Sequence, residues 1–340
     1  MNWRGIIGLW AIAGGAHGVP IGSEPKASGW VDPWLSPGSV RLGYSVKSVS
    51  NVPARSAELG MKVYFRHLAQ DLDLNYLSRI YDSDQALMDD ALRGRLDLLL
   101  VPGETFARLQ SRKAPFAPIL IKDGGAASAA EERVLLTAGG RTLNQLGRGR
   151  ILVDTGGQGS LPLLWLDELL RREALPERTV HFAACEEVNR ATLAVFRVFL
   201  GKADGCIVRV SDFKKACREN PQISDRLGVL AQSPPMVEAV FILSNDFAER
   251  HPLFSKELVR RLPQTERGTT LTSLLGATEI RPFDAHSATA TLALVASSDQ
   301  HRISDDRAIP SRTSRTASSG VDSSSLPPPT RPSAPPPPRR

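Results

Sequence analysis

Leu92–Val101, LRGRLDLLLV, and Phe199–Val208, FLGKADGCIV, are two copies of one plan. In each, a helix-forming stretch stops at a glycine, a basic residue follows, and an aspartate stands before an apolar run: Gly94 and Asp97 in the first copy, Gly201 and Asp204 in the second. Glycine is the residue that most readily closes a helix in the left-handed conformation. A short continuous apolar run after such a stop is a strand buried on both faces, and that strand needs helices above and below it. The duplication predicts two α/β lobes.

Each copy closes a longer alternation. Before the first, VRLGYSV (Val40–Val46) alternates as a strand, AELGMKVYFRHLAQDL has helical spacing, NYLSRIYD is β-rich, and SDQALMDDALRGR is a helix capped by Ser83 or Asp84. That β-α-β-α-β order predicts a parallel or largely parallel sheet. Before the second come RGRILVD, the helix SLPLLWLDELLRREAL, the strand TVHFAAC and the helix NRATLAVFRVFLGK. LGVLAQSPPMVEAVFILSNDF then holds two apolar strands broken at Ser233-Pro234-Pro235, as a hinge between lobes would be, and the later helices SKELVRRL and TTLTSLLGA return to the first lobe. The fold class is therefore α/β: two Rossmann-like lobes with a hinge and an interlobe cleft. Residues 40–130 begin lobe 1, 131–232 form lobe 2, and 233–297 return to lobe 1.

The ends differ in character. MNWRGIIGLWAIAGGAHGVPIGSEP has one arginine, an apolar run from Gly5 to Gly15 and small residues at Ala16 and Gly18, the pattern of an export signal over 1–18. No cysteine follows that run, which argues against a lipid anchor. A Gly/Pro/Ser/Trp-rich linker occupies 19–39, and 298–340, rich in Ser, Thr, Arg and Pro, has the composition of a disordered tail. Several arginines of the +6 net charge lie in that tail, so the basic balance is no footprint for nucleic acid, and none is expected as a partner. Cys185, Cys206 and Cys217 form no CxxC pair and have no histidine at ligand spacing, so a zinc site is not expected.

VDTGGQGSLPLLWLDELL, Val153–Leu170, joins a strand to an amphipathic helix through a loop rich in glycine. The first amides of a helix lack intrahelical partners and sit at the positive end of its dipole, which favours an anion. Gly156, Gly157 and Gly159 let the backbone approach a ligand, Thr155 and Ser160 add hydroxyls, Gln158 adds an amide, and Pro162 is tolerated in the first turn. The alternative is a plain β-α turn in which Ser160 only caps the helix. No Gly-Lys-Ser/Thr, GxGxxG or GxSxG pattern occurs here, which excludes the usual nucleotide loops and the hydrolase elbow.

Further contacts are expected at the carboxyl ends of the first-lobe strands, where open α/β sheets bind their ligands. Ser48, Ser50 and Asn51 follow the first strand, Ser50 and Asn51 being equally good helix caps, while Pro102, Glu104 and Thr105 follow LDLLLV. Glu104 either accepts a ligand ammonium or lies in solvent, and Glu186 and Glu187 after TVHFAAC pose the same choice. Arg209, ending CIVRV, either clamps an oxyanion through its fork or pairs with Asp212 at the surface. Asp97 and Asp204 are read as structural, because a carboxylate so placed would repel a bound anion.

RGRLDLLLVPGETF with FLGKADGCIVRVSDF, the loop and helix TGGQGSLPLLWLDELL, and ENPQISDRLGVLAQSP resemble the exported substrate-binding proteins of phosphate and phosphonate ABC transporters, which have the type II periplasmic binding fold. The resemblance spans roughly Val40 to Ala296. It implies a monomeric, periplasmic, non-enzymatic receptor without cofactor that closes on a small oxyanion and presents it to a permease in the inner membrane. An alternative keeps the fold and makes the chain a periplasmic sensor docking through its Pro/Arg tail. An enzyme is not supported: the six histidines are scattered and no Ser-His-Asp set is evident.

Overall fold

The structure, a computed structural model, describes residues 38–49, 53–123, 131–156, 159–262, 271–273, 275, 277 and 279–308. The export signal, the linker up to residue 37, the tail beyond residue 308, and Ser50, Asn51, Gly157 and Gln158 lie outside the described residues.

Two sheets carry the fold. The first contains β1 (Ser39–Ser45), β2 (Asn75–Tyr81), β3 (Leu98–Pro102), β4 (Phe116–Asp123), β10 (Ala239–Ser244) and β11 (Glu279–Pro282), in the order β11-β4-β10-β3-β1-β2. The second contains β5 (Arg133–Ala138), β6 (Arg150–Asp154), β7 (Ala184–Val188), β8 (Gly205–Arg209) and β9 (Leu227–Gln232), in the order β7-β6-β8-β5-β9. Read from opposite edges, the orders coincide, with β4, β10, β3, β1 and β2 answering to β9, β5, β8, β6 and β7.

The parallel sheet expected of lobe 1 holds only for the β1 pairings with β2 and β3. β10 runs antiparallel to β3 and β4, and β5 runs antiparallel to β8 and β9, so both sheets are mixed. The cause is the double crossing between sheets. β5 is the first strand after the chain leaves the first sheet, β10 is the first after it returns, and each inserts against the local direction.

Helices cover both faces of each sheet. On β3, Leu98 and Leu100 join α1 (Ala54–Gln70) and α10 (Pro252–Arg261) through Met61, Phe65, Phe254 and Leu258. Leu99 and Val101 point the other way, toward Leu87 and Met88 of α2 (Asp84–Leu92) and Phe106 of α3 (Gly103–Ser111). This alternation with no polar face is what a doubly covered strand requires. In the second sheet, α4 (Leu161–Arg172) covers one face through Trp165 and Leu166, and α6 (Ala191–Phe199) covers the other through Val195 and Val198.

The last helix, α11 (Ala285–Ala308), touches both lobes: Ala288 packs in the first, Leu294 and Val295 in the second. Its Thr291 hydroxyl accepts the N–H of Val237, on the connection from β9 to β10. The helix continues past Ser298, where composition places the start of the tail, because SSDQHRISDDRA contains no proline or glycine to stop it.

Two smaller expectations are corrected. The strand expected at TVHFAAC is a helical turn, α5 (Arg178–His181), followed by β7. Its β-branched residues mimic a strand, but Val180 is 72 % exposed, so no sheet demands them. Ser160 precedes α4 without capping it, its side chain being turned to another partner.

Candidate oxyanion site

The carboxyl ends of β6, β7 and β8 surround a cavity of about 460 Å³, a volume in the range of small-molecule sites. Asp154 and Gly156 reach it from the end of β6, Asn189 and Arg190 from the end of β7, and Arg209 and Asp212 from the end of β8. The first turn of α6 supplies Ala191, Thr192 and Leu193. That turn has no side-chain cap and no acidic residue, so its leading amides and the Thr192 hydroxyl are available to an acceptor. Among the described residues no carboxylate pairs with Arg190. Among the described residues, those that line the cavity belong to lobe 2.

The glycine loop is divided between two tasks. Its start serves the sheet and the cavity: the N–H of Thr155 donates to the Val188 carbonyl, and Gly156 turns into the cavity wall. Its end faces lobe 1. The N–H of Ser160 donates to Glu104 Oε2 at 3.2 Å, and the Ser160 hydroxyl donates to the same oxygen. Glu104 does not lie in solvent; it is 9 % exposed, and its other oxygen meets Arg108 one helical turn on at 2.8 Å. Thr105 is buried beside it in the first turn of α3.

Arg209, which lines the cavity, also holds a partner that neither expectation named. Its fork grips Glu238, with Nε to Oε1 at 2.8 Å and Nη2 to Oε2 at 3.0 Å. Glu238 further accepts from Arg133 Nη2 at 3.0 Å and lies 3.9 Å from Lys122 Nζ. Lys122 is in β4, Arg133 opens β5, and Glu238 precedes β10, so the cluster joins the strands that cross between lobes. A surface pair with Asp212 would leave these buried cations unmatched, which costs several kcal/mol per ion.

Glu131 stands at the edge of the cluster, bonded to the Ser211 hydroxyl and 3.4 Å from Arg209 Nε. Burial and the like charge of Glu238 push its carboxyl up to about 7. Three cations hold Glu238 below the usual carboxylate range despite its burial, whereas Glu131 shares them at longer distance. Lys122, deep in the same region, is pushed down to about 8, burial outweighing the attraction of Glu238. Asp154 is raised by burial, although Arg133 and the Gly156 N–H oppose this.

Residues 49–287 match the family of ABC transporter, phosphonate, periplasmic substrate-binding proteins. The chain belongs to this family. Among solved structures, PhnD1 of Prochlorococcus marinus in complex with methylphosphonate is 13 % identical, with a TM-score of 0.54, over 78 % of this chain and 100 % of its own. A Xanthomonas citri protein, solved with ATP, is also 13 % identical, with a TM-score of 0.57, over 78 % of this chain and 98 % of its own. At such identity the two show a shared fold, that of type II periplasmic binding proteins. No curated sequence matches the chain.

Several residues of this substrate-binding fold escape a reading of the sequence. Asn189, Arg190 and Thr192 are missed because the strand before them is assigned too early; ending it at Val188 puts EVNRAT at the strand end. Glu186 and Glu187 then lie within β7, not beyond it. Glu238 leaves a visible trace, a lone carboxylate among Met236, Val237, Ala239 and Val240, all buried. Such a residue is almost never buried unpaired, so it announces cations elsewhere without naming them.

Proposed function

We propose that the chain is an exported, monomeric receptor that binds a small phosphonate- or phosphate-like oxyanion at the carboxyl ends of β6, β7 and β8 and delivers it to an ABC permease. The observation that carries this reading is the cavity where Arg190, the uncapped first turn of α6 and the Thr192 hydroxyl converge. Family membership and the methylphosphonate held by a protein of the same fold support the ligand class. The ligand face is assigned to Gly156, Asn189, Arg190 and Thr192. The leader at 1–18 supports export.

Amides, a hydroxyl and one guanidinium bind an anion by charge-assisted hydrogen bonds that are firm and yet reversible. Asp154 and Asp212 also line the cavity and disfavour further negative charge there. No step of chemistry is required of any residue. A ligand at a hundred times its Kd stabilises the protein by about 2.7 kcal/mol, so the test is a thermal-shift series with methylphosphonate, phosphate and methanesulfonate followed by calorimetry. Stabilisation by at least one of them, weakened at least about tenfold by Arg190→Ala, is the expected outcome. A melting temperature unmoved by the whole series would sink the proposal.

A further inference from the structure

Glu104 and Ser160 meet across the lobe interface, and the geometry around them is tight. The carboxylate belongs to the first turn of α3 in lobe 1, while the amide and hydroxyl that it accepts belong to the start of α4 in lobe 2. It therefore lies at the positive ends of two helices at once. Pro102 precedes α3 without offering a side-chain cap, and Glu104 is the acidic residue of its first turn.

The approach depends on two glycines. A Cβ on Gly103 would fall 1.9 Å from the Val237 carbonyl oxygen, and Gly159 holds φ +98 with Pro102 against it. Apolar contact supports the closure: Leu161 and Ala107, from the two lobes, share one buried cluster with Met236. A protein carboxylate thus occupies donors of the kind an oxyanion ligand seeks, in the loop read from sequence as an anion cradle.

We propose that Glu104 is a resident anion that latches the lobes together when no ligand is present and competes with the oxyanion for the Ser160 end of the loop. This rests on the receptor reading above and adds a specificity device to it. Two anions cannot share one amide and one hydroxyl at close range without strong repulsion, so a ligand extending from the α6 cavity to Ser160 must displace Glu104. The latch therefore lowers affinity most for the ligands that reach furthest along the loop.

The test compares wild-type protein with E104Q and E104A, measuring methylphosphonate and phosphate binding by calorimetry and ligand-free dimensions by small-angle X-ray scattering. A hydrogen bond to a charged group contributes enough that removing this competitor should tighten anion binding about ten- to a hundredfold, E104A at least as much as E104Q. Ligand-free variants should also be more open than ligand-free wild type. Wild type that binds while the variants bind no tighter would overturn the latch and leave the receptor reading standing. If no anion binds any of the three, the receptor reading fails; wider ligand-free variants would then still support the latch, and unchanged scattering would overturn it too.

Discussion

At the start of β3, Asp97 takes the backbone N–H of Arg41 from the neighbouring β1 at 2.9 Å and returns its own N–H to the Arg41 carbonyl at 2.9 Å. At the start of β8, Asp204 does the same for Arg150 of β6, at 2.8 and 2.9 Å. The duplicated glycine-to-aspartate step is thus a device that fixes a parallel strand pair at its entry, once in each lobe. Five residues further along, at the exit, the lobes part company. Lobe 1 has Pro102 where lobe 2 has Arg209, and Glu104 where lobe 2 has Ser211. One lobe exports a carboxylate to a serine of the other, while the second gathers cations around carboxylates from the crossing strands. Strand entries repeat one scaffold in both lobes, whereas the strand exits differ, β8 ending at the cavity and β3 just before Glu104.

The sharpest break in that symmetry is the crossing-strand cluster, which lobe 1 has no counterpart for at its own β3 exit. Glu238→Gln removes the carboxylate that Arg209, Arg133 and Lys122 share. Removing the carboxylate that a buried ionic cluster shares costs about 3–5 kcal/mol, so the unfolding free energy should fall by about that amount, seen as a lower denaturation midpoint with an unchanged slope. A loss below about 1 kcal/mol would mean that water already screens the cluster.

The strand entries offer a smaller and more controlled comparison. Asp97 is 2 % exposed and bonds both the backbone and the fork of Arg41, whereas the side chain of Asp204 is 37 % exposed beside Arg141. Asp97→Asn should cost about 3 kcal/mol, and Asp204→Asn about 1 kcal/mol or less. Equal losses in urea melts would show that the backbone link, common to both, carries the stability, and that burial of the ion pair adds nothing.

Much of this architecture is legible in the sequence because its signals are local. A glycine stop, an aspartate and an apolar run fall within ten residues, and Ser83 stands just ahead of the helix whose Ala86 N–H it caps. What escapes is set by partners far apart in the chain. The partner of Ser160 is 56 residues away and that of Arg133 is 105 away, and no spacing rule connects either pair. The insertion of β10 between β3 and β4 is likewise a tertiary choice, since an apolar run such as AVFILS reads the same in either direction. The serine that ends the glycine loop shows both sides: its donors are plain from composition, but the anion that Ser160 holds comes from the other lobe.

The finest test of the cluster is its pH dependence, and the sign follows from Glu131. Its folded carboxyl titrates near 7 against 4.5 for the free group, so the folded chain holds that proton more tightly than the unfolded one. The resulting stability is fully present below about pH 4.5 and is lost as pH rises through about 7, a fall of about 2 kcal/mol between pH 5 and 8. Lys122, lowered to about 8, acts in the opposite sense: its contribution is present above the ordinary lysine value and is lost as pH falls through about 8. Stability should therefore pass through a shallow minimum near neutrality. Glu131→Gln should flatten the limb below pH 7 and leave the alkaline limb, while Lys122→Met should do the reverse. Guanidinium melts at half-unit intervals between pH 5 and 9 read both limbs, and an acid limb that survives Glu131→Gln would assign the proton to another carboxyl, Asp154 being the buried neighbour whose burial also raises it.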